Sequence, residues 1–177
     1  MKNDLSVYYR YLTVSDLDIL LDLERIVFDS LPDSSILRSN TRSMWRSCLV
    51  GPHKTLAAFS SQRLIGVSVL YFPNLGDDDD LSKFLVSVPS LSQGLYGPLT
   101  ANHKICLVHP DYRGLGLQKI LAFRLEQYAR DLGVRLLCAT VSPKNIYSRN
   151  NALAMGMVYD STIVKYGSER DLFYKLL

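Results

Sequence analysis

From Leu107 to Leu121 the chain reads LVHPDYRGLGLQKIL. The apolar run ICLV leads into this stretch and a helix-period pattern leaves it, so a strand must become a helix by way of Gly114 and Gly116. The helix predicted from Gly116 to Leu132 carries Leu117, Leu121, Leu125, Tyr128 and Leu132 on one face, and the strand-like run RLLCATV follows it. A strand, a helix with one apolar face and a second strand at this spacing form a right-handed crossover between parallel neighbours. The unit confines the chain to an α/β or α+β fold whose sheet contains a parallel pair with a helix packed on it.

The flanking segments extend that sheet on both sides. VYYRYL alternates as a first strand, and SDLDILLDLERIVF sets Leu17, Leu20, Leu21, Val27 and Phe28 at helical spacing behind an N-cap candidate, Ser15. PDSSILRSNTRSMWRSCL predicts a second, shorter helix, and TLAAFSSQRLIGVSVLYF an antiparallel hairpin turning near Gln62 and Arg63. Beyond the crossover lie a short helix, YSRNNALAM, and two terminal strands, MVYDSTIVKY and RDLFYKLL, with Gly133 and Gly156 where helix C-caps belong. The expected sheet is mixed, with about six to seven strands, antiparallel at both ends and parallel in the middle. Residues 73–100, rich in Pro and Gly, read as an irregular insertion with one short helix inside a single domain spanning 1–177.

Several functions are disfavoured at this level. No apolar run is long enough to span a bilayer, and MKNDLSVYY has no export-signal pattern, so a cytoplasmic protein with no membrane partner is expected. The net charge of +3 is spread along the chain without the basic stripe that a nucleic-acid partner requires. Cys48, Cys106 and Cys138 are odd in number, so no disulfide framework is expected, and Cys106 and Cys138, which sit in apolar runs, read as packing residues. No metal-ligand spacing is present. Asp77 to Asp80 reads as a solvated run charging the next helix start, against the rival reading of attraction for a cationic acceptor. His109 is expected as a solvated turn residue.

The glycine turn carries the chemistry. A helix start leaves backbone N–H groups unpaired at its positive end, and glycine lets an anion approach them without a Cβ in the way. Arg113 adds a fixed charge. The spacing fits neither a Walker loop nor a dinucleotide fingerprint, whose third glycine would stand where Lys119 is.

With Val108, Pro110, Arg113, Gly116 and Gln118, the turn resembles the central signature of the GNAT superfamily of acetyl-CoA-dependent acyltransferases, Gln118 standing where the family has Gly or Ala. Downstream, Asn145, Ser148 and Gly156 are similar to the family's second pattern, with Met157 in place of the usual Phe. The resemblance covers essentially the whole chain and is weak in the insertion. It implies that Arg113, Gly114, Leu115, Gly116, Leu117 and Gln118 hold the pyrophosphate of acetyl-CoA. Cys106, Leu107 and Val108 would hold the acetyl and pantetheine groups from a strand splayed away from its parallel neighbour, and Asn145 and Ser148 would line the pantetheine arm.

The implied activity is transfer of acetyl to an amine of a small molecule or peptide, by direct attack in a ternary complex. A non-catalytic acyl-CoA-binding regulatory or assembly module of the same fold is the alternative. Many members carry a tyrosine acid seven residues after the Asn, where this chain has Ala152, which makes Tyr147 the substitute acid. His103 is the candidate base, with Glu24 and a water chain as competing choices. A homodimer is left open.

Overall fold

The computed structural model describes residues 6–74, 76–87 and 100–177. Pro89, Gly94, Gly97 and Pro98 of the insertion lie outside the described residues. A seven-stranded sheet runs in the order β1-β2-β3-β4-β5-β7-β6. Its strands are β1 (Val7–Tyr11), β2 (Lys54–Ser60), β3 (Arg63–Tyr71), β4 (Thr100–Val108), β5 (Leu136–Val141), β6 (Val158–Lys165) and β7 (Ser168–Leu176). Only β4 and β5 run parallel. The helices are α1 (Leu17–Asp29), α2 (Arg42–Cys48), α3 (Leu117–Asp131) and α4 (Ile146–Ala154). The mixed sheet expected from the crossover is present, with its parallel pair in the middle.

The sheet is covered on both faces, which is why β2 and β3 read as near-continuous apolar runs. On one face Leu17, Leu20, Leu23 and Val27 of α1 and Trp45 of α2 pack on Ala57, Val67 and Val69. On the other, Leu117, Leu121 and Leu125 of α3 pack on Ala58, Ile65, Ala101 and Leu137. Each fully buried leucine contributes about 2 kcal/mol of transfer free energy.

Three local expectations need correction. Ser15 does not cap α1. Asp16 organises the chain there, accepting the Thr13 N–H at 2.9 Å and pairing with Arg10 at 2.6 Å, which holds its carboxyl down at about 2. The apolar stripe of α3 ends a turn early, because it follows 117, 121, 125 and 129. Leu132 is 53% exposed and Tyr128 half-buried, while Ala129 and Glu126 take the inner positions, Glu126 paired with Lys175 at 2.8 Å and Arg130 at 2.9 Å. His109 is buried rather than solvated: its Nδ1 accepts the Asp111 N–H and its Nε2 meets the Arg63 guanidinium at 2.7 Å.

Two irregularities make the site. Val69 pairs with Ile105 and Leu70 with His103, so Lys104 is an extra residue in β4, a bulge that bends the strand. Parallel pairing of β4 with β5 also stops at His103 and Ala139, although β4 continues to Val108 and β5 to Val141. Past His103 the strands part, and a gap opens through the sheet.

Candidate active site

The C-terminal end of β4 leads directly to the cradle. His109 N–H bonds to Ile65 O in β3, so by the two-residue alternation of an antiparallel ladder Leu107 also turns its backbone to β3. Cys106 and Val108 turn theirs the other way, into the gap left by β5. Of the three β4 residues expected to contact cofactor, these two present unpaired backbone groups, and Leu107 is a buried core residue beside α1.

After a turn of 3₁₀ helix at Pro110–Tyr112, Gly114 and Gly116 adopt φ of 83° and 73°, and Gly116 is the N-cap of α3. No backbone N–H from Gly114 through Lys119 has a hydrogen-bond partner among the described residues. Nothing lies within 4 Å of where a Cβ on either glycine would be, so the space over these amides is open. Arg113 is exposed and donates to Ser30 Oγ at 2.8 Å, which ties the cradle's side chain to the end of α1. Consecutive N–H groups at a positive helix end suit a pyrophosphate.

On the far side of the gap, Asn145 caps α4 by accepting the Ser148 N–H at 3.1 Å. Gln118 reaches across from α3, accepting from Asn151 Nδ2 at 2.7 Å. Asn145, Ser148, Gln118 and Cys106 all line one cavity, together with His103 and Ala152. Cys48 and Cys138 are buried packing residues, whereas Cys106 lines the cavity; burial pushes the Cys106 thiol up to about 12 and Cys138 further up, and also raises Cys48, so all three are held as thiols.

The three candidate acid or base residues fare differently. His103 stands at the last parallel pair and lines the cavity, with its Nδ1 buried and without a partner; burial lowers its pKa to about 4, so it is neutral at pH 7. Tyr147 is 86% exposed on the first turn of α4 and is not part of the cavity wall. Glu24 is buried and engaged by three donors: Trp45 Nε1 at 2.7 Å, Asn40 N at 3.0 Å and Asn40 Nδ2 at 2.8 Å. It pins the α1–α2 connection and faces no opening.

The cavity has a second half that the sequence did not reveal. It passes through the sheet and is walled there by Arg38, Lys104, Tyr166 and Arg170. Tyr166 and Gly167 form the two-residue turn between β6 and β7, both at positive φ, 57° and 74°. The Tyr-Gly pair between two strand patterns was the available signal for that turn; Arg38 and Arg170 had none. The aspartate run is built into this side rather than solvated along its length. Asp80 is buried and caps the 3₁₀ turn Leu81–Phe84, Asp79 pairs with Lys104 at 2.7 Å, and the Asp78 carbonyl accepts from Lys165.

Residues 20–157 match the model of the acetyltransferase (GNAT) family. No curated protein matches the chain. Among solved structures, a GNAT-family acetyltransferase from Streptococcus pneumoniae superposes with a TM-score of 0.71 at 16% identity, covering 97% of this chain and 99% of that one. PaiA N-acetyltransferase from Thermoplasma acidophilum, in complex with coenzyme A, gives 0.72 at 14% identity over 97% and 99%. YncA from Salmonella typhimurium, with its cofactor acetyl-CoA, gives 0.66 at 16% over 96% and 93%. The bulged, splayed parallel pair and the glycine cradle therefore sit in a chain that belongs to the GNAT family of acetyltransferases.

Proposed function

We propose that the protein transfers the acetyl group of acetyl-CoA to an amine, in a ternary complex and without a covalent enzyme intermediate. The observation that carries this reading is the run of unpaired backbone N–H groups from Gly114 to Lys119, continuous with the open edge of β4 at Cys106 and Val108. The PaiA structure holds coenzyme A and the YncA structure acetyl-CoA, which supports the same cofactor here. Cradle amides bind the pyrophosphate, with Arg113 beside them; Asn145, Ser148 and Gln118 line the pantetheine arm. The backbone groups of Cys106 and Val108 hold the thioester end, where one well-placed N–H donor to a developing oxyanion is worth about 3 kcal/mol.

In the chemical step the amine nitrogen attacks the thioester carbonyl, the C–N bond forms and the C–S bond breaks. The amine gives up one proton and the departing thiolate takes one. Neutral His103, which lines the cavity and whose buried Nδ1 has no partner among the described residues, accepts the amine's proton. Ala152 supplies no hydroxyl, and Tyr147 lies outside the wall. Among the described residues Tyr166 is the tyrosine that lines the cavity, and burial followed by the charge of Asp79 raises its pKa to about 12, which keeps the phenol protonated for donation to the thiolate.

The test is a pair of measurements. Acetyl-CoA should raise the melting temperature, because a ligand that binds only the folded state stabilises it by mass action. Release of the CoA thiol should then depend on added amine. A thermal shift with no amine-dependent release, over a panel of amines of different charge, would establish the non-catalytic acyl-CoA-binding module instead.

A further inference from the structure

The half of the cavity that faces α1 is cationic. Its walls hold Arg38, Lys104 and Arg170, and no Asp or Glu among the described residues lines the cavity. Lys104 is already matched by Asp79. Arg170 is only 7% exposed and makes no hydrogen bond and no ion pair among the described residues. Arg38 meets no carboxylate either; its guanidinium lies 3.8 Å from the centre of the Tyr166 ring and 3.7 Å from the Met44 sulfur. The Arg170 guanidinium therefore meets only the open cavity, and a largely buried cation without a counter-charge is one that proteins ordinarily pair. Burial and the neighbouring Arg38 both push the Arg170 pKa down, against the opposing influence of Tyr166.

These groups are on the opposite face of the sheet from the cradle, so the anion they await is not the pyrophosphate. Phe173 packs with Ala139, Ala152 and Met157 on the α4 side, whereas Leu172 packs with Cys138, Leu81 and Leu85 on the other. Alternation along β7 puts Arg170 on the Leu172 face. Arg38 follows α1 on that same face, its segment fixed where Asn40 hydrogen-bonds to Glu24. Tyr166 completes the wall from a left-handed backbone conformation that costs a bulky residue about 1–2 kcal/mol. Strain and an unpaired buried charge converge on one spot.

We propose that the acceptor is a small amine bearing a compact anionic group, a carboxylate or a phosphate, gripped by Arg170 and Arg38 on the α1 face while its amine enters the gap between β4 and β5. This rests on the transferase reading and specifies its substrate class. It also opposes a polyamine acceptor, for which the walls provide no counter-charge.

The test uses matched acceptors: glycine, β-alanine and 4-aminobutyrate against their amides, O-phosphoethanolamine against ethanolamine, and spermidine, with CoA thiol release as the readout. An acid should exceed its neutral partner by roughly 10- to 100-fold in kcat/KM, the span of one charge-assisted contact. The preferred pair identifies carboxylate or phosphate. Arg170→Gln and, separately, Arg38→Gln should erase the preference through the acceptor KM, Arg170→Lys should restore part of it, and the thermal shift with acetyl-CoA should persist in all three. Equal or better use of amides or spermidine by the parent overturns the proposal and leaves the transferase reading standing, as does an anion preference that survives Arg170→Gln. Binding of acetyl-CoA without transfer to any amine overturns both.

Discussion

The two ends of the cavity are built from different materials. The cradle end is backbone: amides from Gly114 to Lys119 and the open edge of β4, with side chains such as Arg113 at its margin. The opposite end is side chain: Arg38, Tyr166 and Arg170, brought from the α1–α2 connection, a β-turn and β7. A backbone site is specified by a local pattern of glycines and a helix start, and it binds what every member of such a family shares. A side-chain site is assembled by tertiary structure from residues far apart in sequence, and it can change from protein to protein without disturbing the fold.

The largest expected effect breaks the cradle through its backbone. Gly116→Val places a branched side chain at φ 73°, in the open space over the amides. CoA binding should fall by more than 100-fold, and the left-handed conformation should itself cost about 1–2 kcal/mol of stability. Calorimetric titration on protein shown to be folded separates the two. Retained CoA affinity would mean that the anion is held elsewhere.

At the other end, the two tyrosines should separate cleanly. Tyr166→Phe removes the one phenol that the described residues bring to the cavity wall and should lower kcat roughly 10- to 100-fold with little change in the KM for acetyl-CoA. Tyr147→Phe, at a residue 86% exposed, should leave kcat unchanged. The reverse outcome would move the proton donor to α4.

His103 lies where the ends meet, and its burial gives a pH-dependent prediction. Its folded pKa, lowered from 6.5 to about 4 chiefly by burial, means that between these values the unfolded chain binds more protons than the folded one. Stability from this group is therefore complete above pH 6.5 and falls as pH drops towards 4. Glu126 opposes the shift and Lys175 reinforces it. The loss should reach at most about 2.6 kcal/mol by pH 4.5. Asp16 and Asp33, both held at about 2, lose their contributions only below their ordinary 3.8, outside this window. Urea unfolding at pH 7.5 and 4.5 should show His103→Gln losing less stability than the parent. Parallel losses would mean that the imidazole is not shielded.

The difference between the ends also explains what could be read from the sequence. The crossover and the glycine turn are local patterns, and the structure places them as the periodicity and spacing suggest, whereas the cap that Asn145 makes on α4 emerged only from the structure. The errors came where tertiary contacts decide. His109 is buried because Arg63, from the neighbouring strand, meets it. The α3 stripe ends at Ala129 because the chain turns at Gly133 and Lys175 of β7 draws Glu126 inward. Arg170 reads in sequence as one more polar residue at the start of a strand. Only the packing of β7 against the α1 side reveals a buried charge with nothing to balance it.

The smallest effect is the most direct test of whether the cradle is truly a backbone site. Arg113 is exposed, and its guanidinium is tied to Ser30 Oγ at 2.8 Å rather than directed freely at an anion. An exposed charge beside a ligand contributes about 0.2–1 kcal/mol and is screened by salt. Arg113→Ala should therefore weaken CoA binding only about two- to fivefold, with the deficit shrinking as ionic strength rises, while Gly116→Val remains nearly salt-independent in its failure. On the proposed reading the amides at the helix start would touch the phosphate oxygens directly, whereas the exposed guanidinium would act at a distance and in a higher dielectric. If Arg113→Ala cost as much affinity as Gly116→Val, the cradle would be a side-chain site like its counterpart across the sheet. The contrast between the two ends would then be one of position alone.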